Sequence, residues 1–166
     1  MSKVITFSRT FPAYHPKKGQ PTYFVEKLYN SIPWDTDGMD EEIGEALNNY
    51  CMDNPNVCKH HTIRSGNRWK AGDKFSPRVW SGKPYNSKMI AIAPDIEIKK
   101  VWDINIEVIY TEDEADMKFC VEENLLSNED VYRLAKNDGL EPNDMFDWFS
   151  KPMQGQIICW NENIEY

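Results

Sequence analysis

The sequence lacks a long apolar run, and this absence excludes one class of protein. No stretch approaches the roughly 20 apolar residues that a membrane-spanning helix needs. The segment after Met1 becomes polar by Ser8 and Arg9, which is unlike the apolar core of a secretory signal. We therefore expect a cytoplasmic protein with no membrane partner.

Cysteines are few, and their spacing is unlike that of a metal site. The chain has four, at positions 51, 58, 120 and 159. No CxxC pair occurs, and the two histidines that follow Cys58 complete no common zinc pattern. We predict no metal and no cofactor, with the cysteines present as free thiols in a reducing compartment.

The chain also lacks an excess of basic residues. Its 19 Lys and Arg against 27 Asp and Glu give a net charge of −8. This balance disfavours a sequence-independent duplex binder, because such proteins neutralise phosphates. The basic residues nevertheless concentrate in one stretch. They are Lys59, Arg64, Arg68, Lys70, Lys74, Arg78, Lys83 and Lys88. Two interpretations of this cluster stay open, a local basic cleft and an ordinary solvated face.

Periodicity predicts a mixture of helices and strands. The length of 166 residues and a hydrophobic content of 40% favour one folded domain spanning 1–166. Helical patterns precede a strand-rich middle part, and two further helices precede a closing strand. We predict an α+β fold built around a small barrel. The predicted elements are strands at Val4–Ser8, Lys59–Arg64, Lys74–Trp80, Met89–Ile98, Val101–Tyr110 and Gln156–Trp160, and helices at about 23–31, 40–51, 127–138 and from Pro142.

The most unusual segment is Lys59-His60-His61-Thr62-Ile63-Arg64. If it is a strand, alternation places Lys59, His61 and Ile63 on one face and the other three residues on the opposite face. At most one of the two histidines can then enter a given site. A lysine, a hydroxyl and an arginine on a stiff strand are typical of a site for an anionic or amide-bearing ligand.

The pattern Lys59-x-x-Thr62-x-Arg64 resembles the ASCH family of the PUA-like superfamily. Residues 67–73 resemble the family's turn into its next strand, and Phe75–Trp80 resembles that strand. Residues 135–140 and 144–149 resemble the helical acidic segment of the family.

The resemblance covers most of 58–160 and implies a particular architecture. This is a PUA-like small mixed β-barrel with flanking helices and a helical N-terminal elaboration. The helical insert is expected at about 22–54, and the core barrel at about 55–160.

The resemblance also implies a function. ASCH-like proteins bind RNA or modified nucleobases, and similar small bacterial members are metal-independent amidohydrolases of N4-acetylcytidine. Their catalytic lysine, threonine and glutamate positions fall on Lys59, Thr62 and Asp138. Aspartate is one methylene shorter than glutamate, and a misplacement of about an ångström costs about a hundredfold in rate.

Several further residues are assigned to substrate binding. A tryptophan among them that stacks on a base contributes about 1–3 kcal/mol. The alternatives are ordinary strand residues and core tryptophans. Three functions therefore stay open: an amidohydrolase, a non-catalytic module for RNA or modified bases, and a phage or host protein-interaction domain. The predicted substrate-binding residues are His61, Arg64, Trp69, Arg78, Trp80 and Asn137.

Overall fold

The structure, a computed structural model, describes residues 2–32 and 41–166. It contains both helices and strands, which confirms the α+β class. The elements in chain order are β1 (Lys3–Thr6), α1 (Phe24–Ser31), α2 (Glu41–Asp53), β2 (His61–Ser65), β3 (Lys74–Trp80), β4 (Met89–Ala91), β5 (Ile96–Glu97), β6 (Lys100–Tyr110), β7 (Ala115–Val121), β8 (Asn124–Leu125), α3 (Asn128–Asn137), α4 (Pro142–Trp148) and β9 (Met153–Cys159).

These elements fall into two compact units, each with its own sheet. Unit 1 comprises the described residues of Met1–Lys59 together with Lys74–Glu97. Unit 2 comprises His60–Asp73 and Ile98–Tyr166. The segments alternate along the chain, and the prediction of a single domain stays a prediction.

Unit 1 is built on β3, which pairs in parallel with β1 and antiparallel with β4 and β5. Helix α1 buries Phe24, Val25, Leu28 and Tyr29, a spacing that forms one apolar face of a helix. Its N-cap is Tyr23, one residue after Thr22, the cap that the sequence predicts.

Helix α2 begins and ends close to the predicted bounds. The spacing of Ile43, Ala46, Leu47 and Tyr50 predicts one apolar face of this helix, and Leu47 is buried as that pattern predicts. The side chains of Ile43 and Ala46, two other residues of the predicted apolar face, lie outside the described part of the chain. Pro33, where the sequence predicts the end of the preceding helix, also lies outside it.

Unit 2 contains an antiparallel sheet in the order β2-β9-β6-β7-β8. Alternation along β6 places Ile104 and Ile106 in the core, as predicted, and both are almost fully buried. Toward its end the same strand leaves the core, and Tyr110 is 75% exposed. Ile157 of β9 and Phe119 of β7 complete this apolar centre.

Local chemistry determines where α3 begins and ends. Ser127 Oγ caps the helix by accepting the Asp130 N–H at 3.1 Å, and the Asp130 carboxylate accepts from the Ser127 hydroxyl at 3.0 Å, whereas in a capping box it would accept from the Ser127 backbone N–H. Gly139 ends the helix with a φ of +80°, which glycine adopts without steric cost. Asp138 is the C-cap, and this position brings its side chain to the candidate site.

Within residues 2–32 and 41–166, the strands form two open sheets and no closed barrel. The PUA-like barrel implied by the resemblance is therefore not visible in the strand pairing and stays a prediction. No helix in the described part of the chain has the length and apolar character that crossing a membrane requires.

Gly155 of β9 tests the register of the central strands. A Cβ added there would lie 2.1 Å from the Arg64 carbonyl oxygen, which is backbone and cannot turn away. We expect Gly155→Ala to lower the free energy of unfolding by about 3 kcal/mol through overpacking. Gly44→Ala is the control, because it meets nothing within 4 Å and gains about 0.5–1 kcal/mol in a helix. Equal denaturant midpoints for the two variants would contradict the pairing of β2 with β9.

Candidate functional site

Four side chains of unit 2 form a largely buried group, here called the polar cluster: His61, Asn137, Asp138 and Tyr166. The His61 side chain is fully buried and Asp138 is 4% exposed. His61 Nδ1 lies 3.2 Å from Asp138 Oδ1, and His61 Nε2 lies 2.7 Å from the Tyr166 hydroxyl. Asn137 Nδ2 donates to the same hydroxyl at 2.9 Å.

Backbone hydrogen bonds bring the two halves of the cluster together. The His60 N–H donates to the Asn137 carbonyl at 2.7 Å, which joins the start of β2 to the last turn of α3. The His60 carbonyl accepts the Trp160 N–H at 3.2 Å. His61 and Asp138 are therefore held in place by main-chain contacts on both sides.

Hydrogen-bond chemistry fixes the direction of each contact in the polar cluster. The Asn137 amide nitrogen can only donate and an ionised Asp138 carboxylate can only accept. His61 Nδ1 then carries a proton, so Nε2 of the neutral ring accepts. The Tyr166 O–H donates to it. A single chain of donation runs from Asn137 through Tyr166 and His61 to Asp138.

The electrostatics of the cluster favour an uncharged phenol. Burial raises the pKa of Tyr166, the hydrogen bond from Asn137 opposes this effect, and the nearby Asp138 charge adds to it. Asp138 itself lies at a helix C-terminus, where the helix dipole disfavours a negative charge. The donated hydrogen bond from His61 offsets that cost.

His60 lies outside the polar cluster and has a structural role. Its Nδ1 accepts a hydrogen bond from Asn161 Nδ2 at 3.1 Å. Burial lowers the pKa of His60, and the neighbouring His61 lowers it further. Both effects keep this imidazole neutral.

Thr62 and Arg64 leave β2 on the face opposite His61, because side chains alternate along a strand. Thr62 is buried opposite Ile158, and the partly buried Arg64 lies opposite Gln156. The structure therefore brings Asn137 and His61 to Asp138, while the side chain of Thr62 points away from His61. The catalytic assignment of Thr62 stays a prediction.

Trp69 is packed inside unit 2. It is 4% exposed, and its backbone N–H and C=O bond to the Gln156 side-chain amide at 3.0 and 3.2 Å. The Arg68 guanidinium lies 5.2 Å from its ring centroid. A base-stacking role for Trp69 stays a prediction that would require this loop to move.

Lys59 belongs to unit 1, where it is 1% exposed. Its Nζ lies 4.3 Å from the centroid of the Phe24 ring and 6.0 Å from that of Phe7. The ammonium is thus desolvated against aromatic faces. Lys59 is not an ordinary solvated strand lysine.

Arg78 and Trp80 share one face of β3 in unit 1. Arg78 Nε donates to Ser76 Oγ at 3.2 Å. The Trp80 ring lies 5.3 Å from that of Tyr85, which is 88% exposed. Trp80 is only partly buried, so its ring has free surface for stacking.

Two concave surfaces of unit 2 differ in charge. A groove of about 910 Å³ on the sheet is rich in carboxylates, including Asp103, Glu107 and Glu122. A smaller groove of about 260 Å³ lies between α3 and residues 163–165, and Arg133, Lys136 and Asn137 line it. The second groove adjoins the polar cluster through Asn137.

Sequence reasoning missed Tyr166, although this residue completes the cluster. It lies 105 positions from His61, and no local motif marks it. A tyrosine in a polar segment carries no periodic signal, so only the folded arrangement shows its role.

No family model, no curated protein and no solved structure matches this chain. Across the described ranges, no group of three or more His, Cys, Asp or Glu side chains is arranged to hold a metal ion. Function is therefore inferred from the chemistry of the polar cluster.

The raised pKa of Tyr166 predicts a loss of stability in alkali. The unfolded phenol ionises near pH 10, whereas the folded one keeps its proton. The contribution of Tyr166 is complete below pH 10 and falls by up to about 1.4 kcal/mol per pH unit above it. Denaturant unfolding of the Tyr166→Phe variant between pH 8 and 11 should show a shallower alkaline decline. Tyr110→Phe, at an exposed position, should keep the decline of the parent protein, and parallel curves for the parent and Tyr166→Phe would contradict the burial of the phenol.

Proposed function

We propose that this chain is an ASCH-like domain of the PUA-like kind that binds a nucleobase, presented by a nucleoside or by single-stranded RNA. The observation that carries the proposal is the meeting of the two segments on which the resemblance depends. Residues 60–61 and residues 137–138 are 77 positions apart and are joined by a backbone bond and a buried side-chain contact. A chance match of two short patterns gives no reason for this meeting.

The chemistry of the polar cluster suits a base edge. His61 Nε2 is an acceptor and Asn137 Nδ2 is a donor, and both point to the same oxygen. Proteins that recognise single-stranded RNA read splayed bases through such edge contacts and through aromatic neighbours. Trp102 is an aromatic neighbour, with its ring centroid 5.2 Å from that of Tyr166.

Charge narrows the class of ligand. With a net charge of −8, the protein repels a long phosphate backbone unless contacts are local. Arg133 and Lys136 line the smaller groove beside the polar cluster, and Lys100 binds the segment that carries Tyr166. A single base with one or two phosphates fits this arrangement better than a duplex.

A second candidate function is hydrolysis of an acylated cytidine. The observation that favours it is the desolvated Lys59, because buried amines are typical of catalytic lysines. In this reaction water adds to the acetyl carbonyl carbon, the bond from that carbon to N4 breaks, and N4 takes up a proton. The products are cytidine and acetate. The resemblance gives the catalytic roles to Lys59, Thr62 and Asp138.

Binding is tested by titrating the protein with cytidine, N4-acetylcytidine, uridine and a short single-stranded RNA in a calorimeter. We expect Asn137→Ala to weaken binding about tenfold, because one buried hydrogen bond is lost. Asn128→Ala changes an exposed asparagine of the same helix and should bind like the parent protein. Absence of heat with every one of these ligands would overturn the proposal.

Hydrolysis is tested by measuring acetate released from N4-acetylcytidine. We expect Lys59→Ala to lower the rate at least about a hundredfold, in line with the loss of an acid–base group. Lys74→Ala, at an exposed position of unit 1, should keep the parent rate. If the parent protein releases no acetate, or if Lys59→Ala releases it as fast, the hydrolytic function is wrong and binding alone remains.

A further inference from the structure

Tyr166 sits in the polar cluster in the manner of a bound ligand. Its ring meets the rings of Trp102 and His61 edge to face, with centroid distances of 5.2 and 5.7 Å. Its hydroxyl forms hydrogen bonds with two side chains of the cluster, His61 and Asn137. The phenol thus combines aromatic contact with one donated and one accepted hydrogen bond.

The backbone of the segment that carries this phenol is held by side chains of β6 and α3. Lys100 Nζ donates to the Ile164 carbonyl at 2.9 Å and also pairs with the Glu165 carboxylate. Arg133 donates to the Glu165 carbonyl at 3.1 Å. The Glu165 side chain is 74% exposed, and ion pairs at such positions add little stability. Exchange of this segment is therefore far less costly than opening the core.

The Tyr166 hydroxyl occupies a site formed by His61 Nε2 and Asn137 Nδ2, here called the phenol site. The hydrogen-bonding pattern of the phenol site defines what can replace the phenol. His61 Nε2 needs a donor, and Asn137 Nδ2 needs an acceptor. The two nitrogens lie 2.7 and 2.9 Å from one oxygen, so neighbouring atoms of another ring can reach both. A ring with an N–H beside a C=O on one edge supplies this pair, as uracil and hypoxanthine do.

We propose that Tyr166 is an internal ligand of the phenol site and that a nucleobase presenting an N–H beside a C=O displaces it. The inference rests on the proposed function. It adds which edge of the base is recognised, and that the Tyr166 phenol competes with the base for the phenol site. The smaller groove between α3 and residues 163–165 gives the incoming base a path, because it opens beside Asn137.

The test compares uridine with 3-methyluridine, in which the ring N–H is replaced by a methyl group. Affinities are measured by calorimetry for the parent protein, Tyr166→Phe, Tyr166→Ala and Tyr110→Phe. We expect Tyr166→Ala to bind uridine about tenfold more tightly, since no competing phenol remains. Tyr166→Phe should fall between Tyr166→Ala and the parent protein, Tyr110→Phe should match the parent protein, and 3-methyluridine should bind at least about tenfold more weakly than uridine.

A second measurement separates failure of this inference from failure of the proposed function. Nitrogen resonances of the His61 ring report the Tyr166 contact directly, and uridine should bring the Nε2 signal of the parent protein to the position that this signal has in the uridine-bound Tyr166→Ala variant. If uridine binds the parent and both Tyr166 variants equally, with no change at Nε2, the internal-ligand role is overturned while nucleoside binding stands. If neither the parent nor a Tyr166 variant binds any nucleoside, both proposals are overturned.

Discussion

The contact between the buried His61 imidazole and the Asp138 carboxylate is the constraint on which the arrangement of unit 2 depends. A carboxylate that is 4% exposed at a helix C-terminus is unfavourable by burial and by the helix dipole. His61 offsets both costs with one hydrogen bond of 3.2 Å. Since His61 begins β2 and Asp138 caps α3, the same bond ties a strand to a helix. The adjacent backbone bond from His60 to Asn137 makes that joint rigid.

From this joint the polar cluster extends outward in a defined direction. Each donor in the chain from Asn137 to Asp138 has an acceptor, and a fully satisfied buried network is stable and specific. Its members differ in how firmly they are held. His61 and Asp138 belong to β2 and the end of α3, whereas Tyr166 belongs to a segment anchored mainly by Lys100 and Arg133. In the proposed function, the cluster combines a fixed acceptor and donor with a partner that a ligand replaces.

The sequence was a good guide where local physics decides the structure. Alternation predicted the core face of β6, and serine and glycine chemistry predicted the bounds of α3, because each depends on neighbours a few positions away. Alternation also placed His61 and Thr62 on opposite faces of their strand. The sequence could not predict the role of Tyr166, because its partner His61 lies 105 positions away. For Trp69 it left core packing and base stacking both open, because the contact with Gln156 spans 87 positions. The pairing of Asp138 with His61 was likewise beyond local patterns, because the resemblance grouped Asp138 with Lys59 and Thr62 instead.

In the proposed function, the distribution of charge favours recognition through the edge of a base over recognition through phosphates. The sheet of unit 2 carries a groove rich in carboxylates, which repels phosphate. The cations beside Asn137 are already engaged, Arg133 with Asp130 at 2.9 Å and Lys136 with Glu141 at 2.6 Å. A phosphate that displaces these carboxylates exchanges one exposed ion pair for another, and such pairs contribute only about 0–1 kcal/mol. In the proposed function, selectivity therefore comes from the donor and acceptor of the cluster, where leaving either without a partner costs about 1–3 kcal/mol.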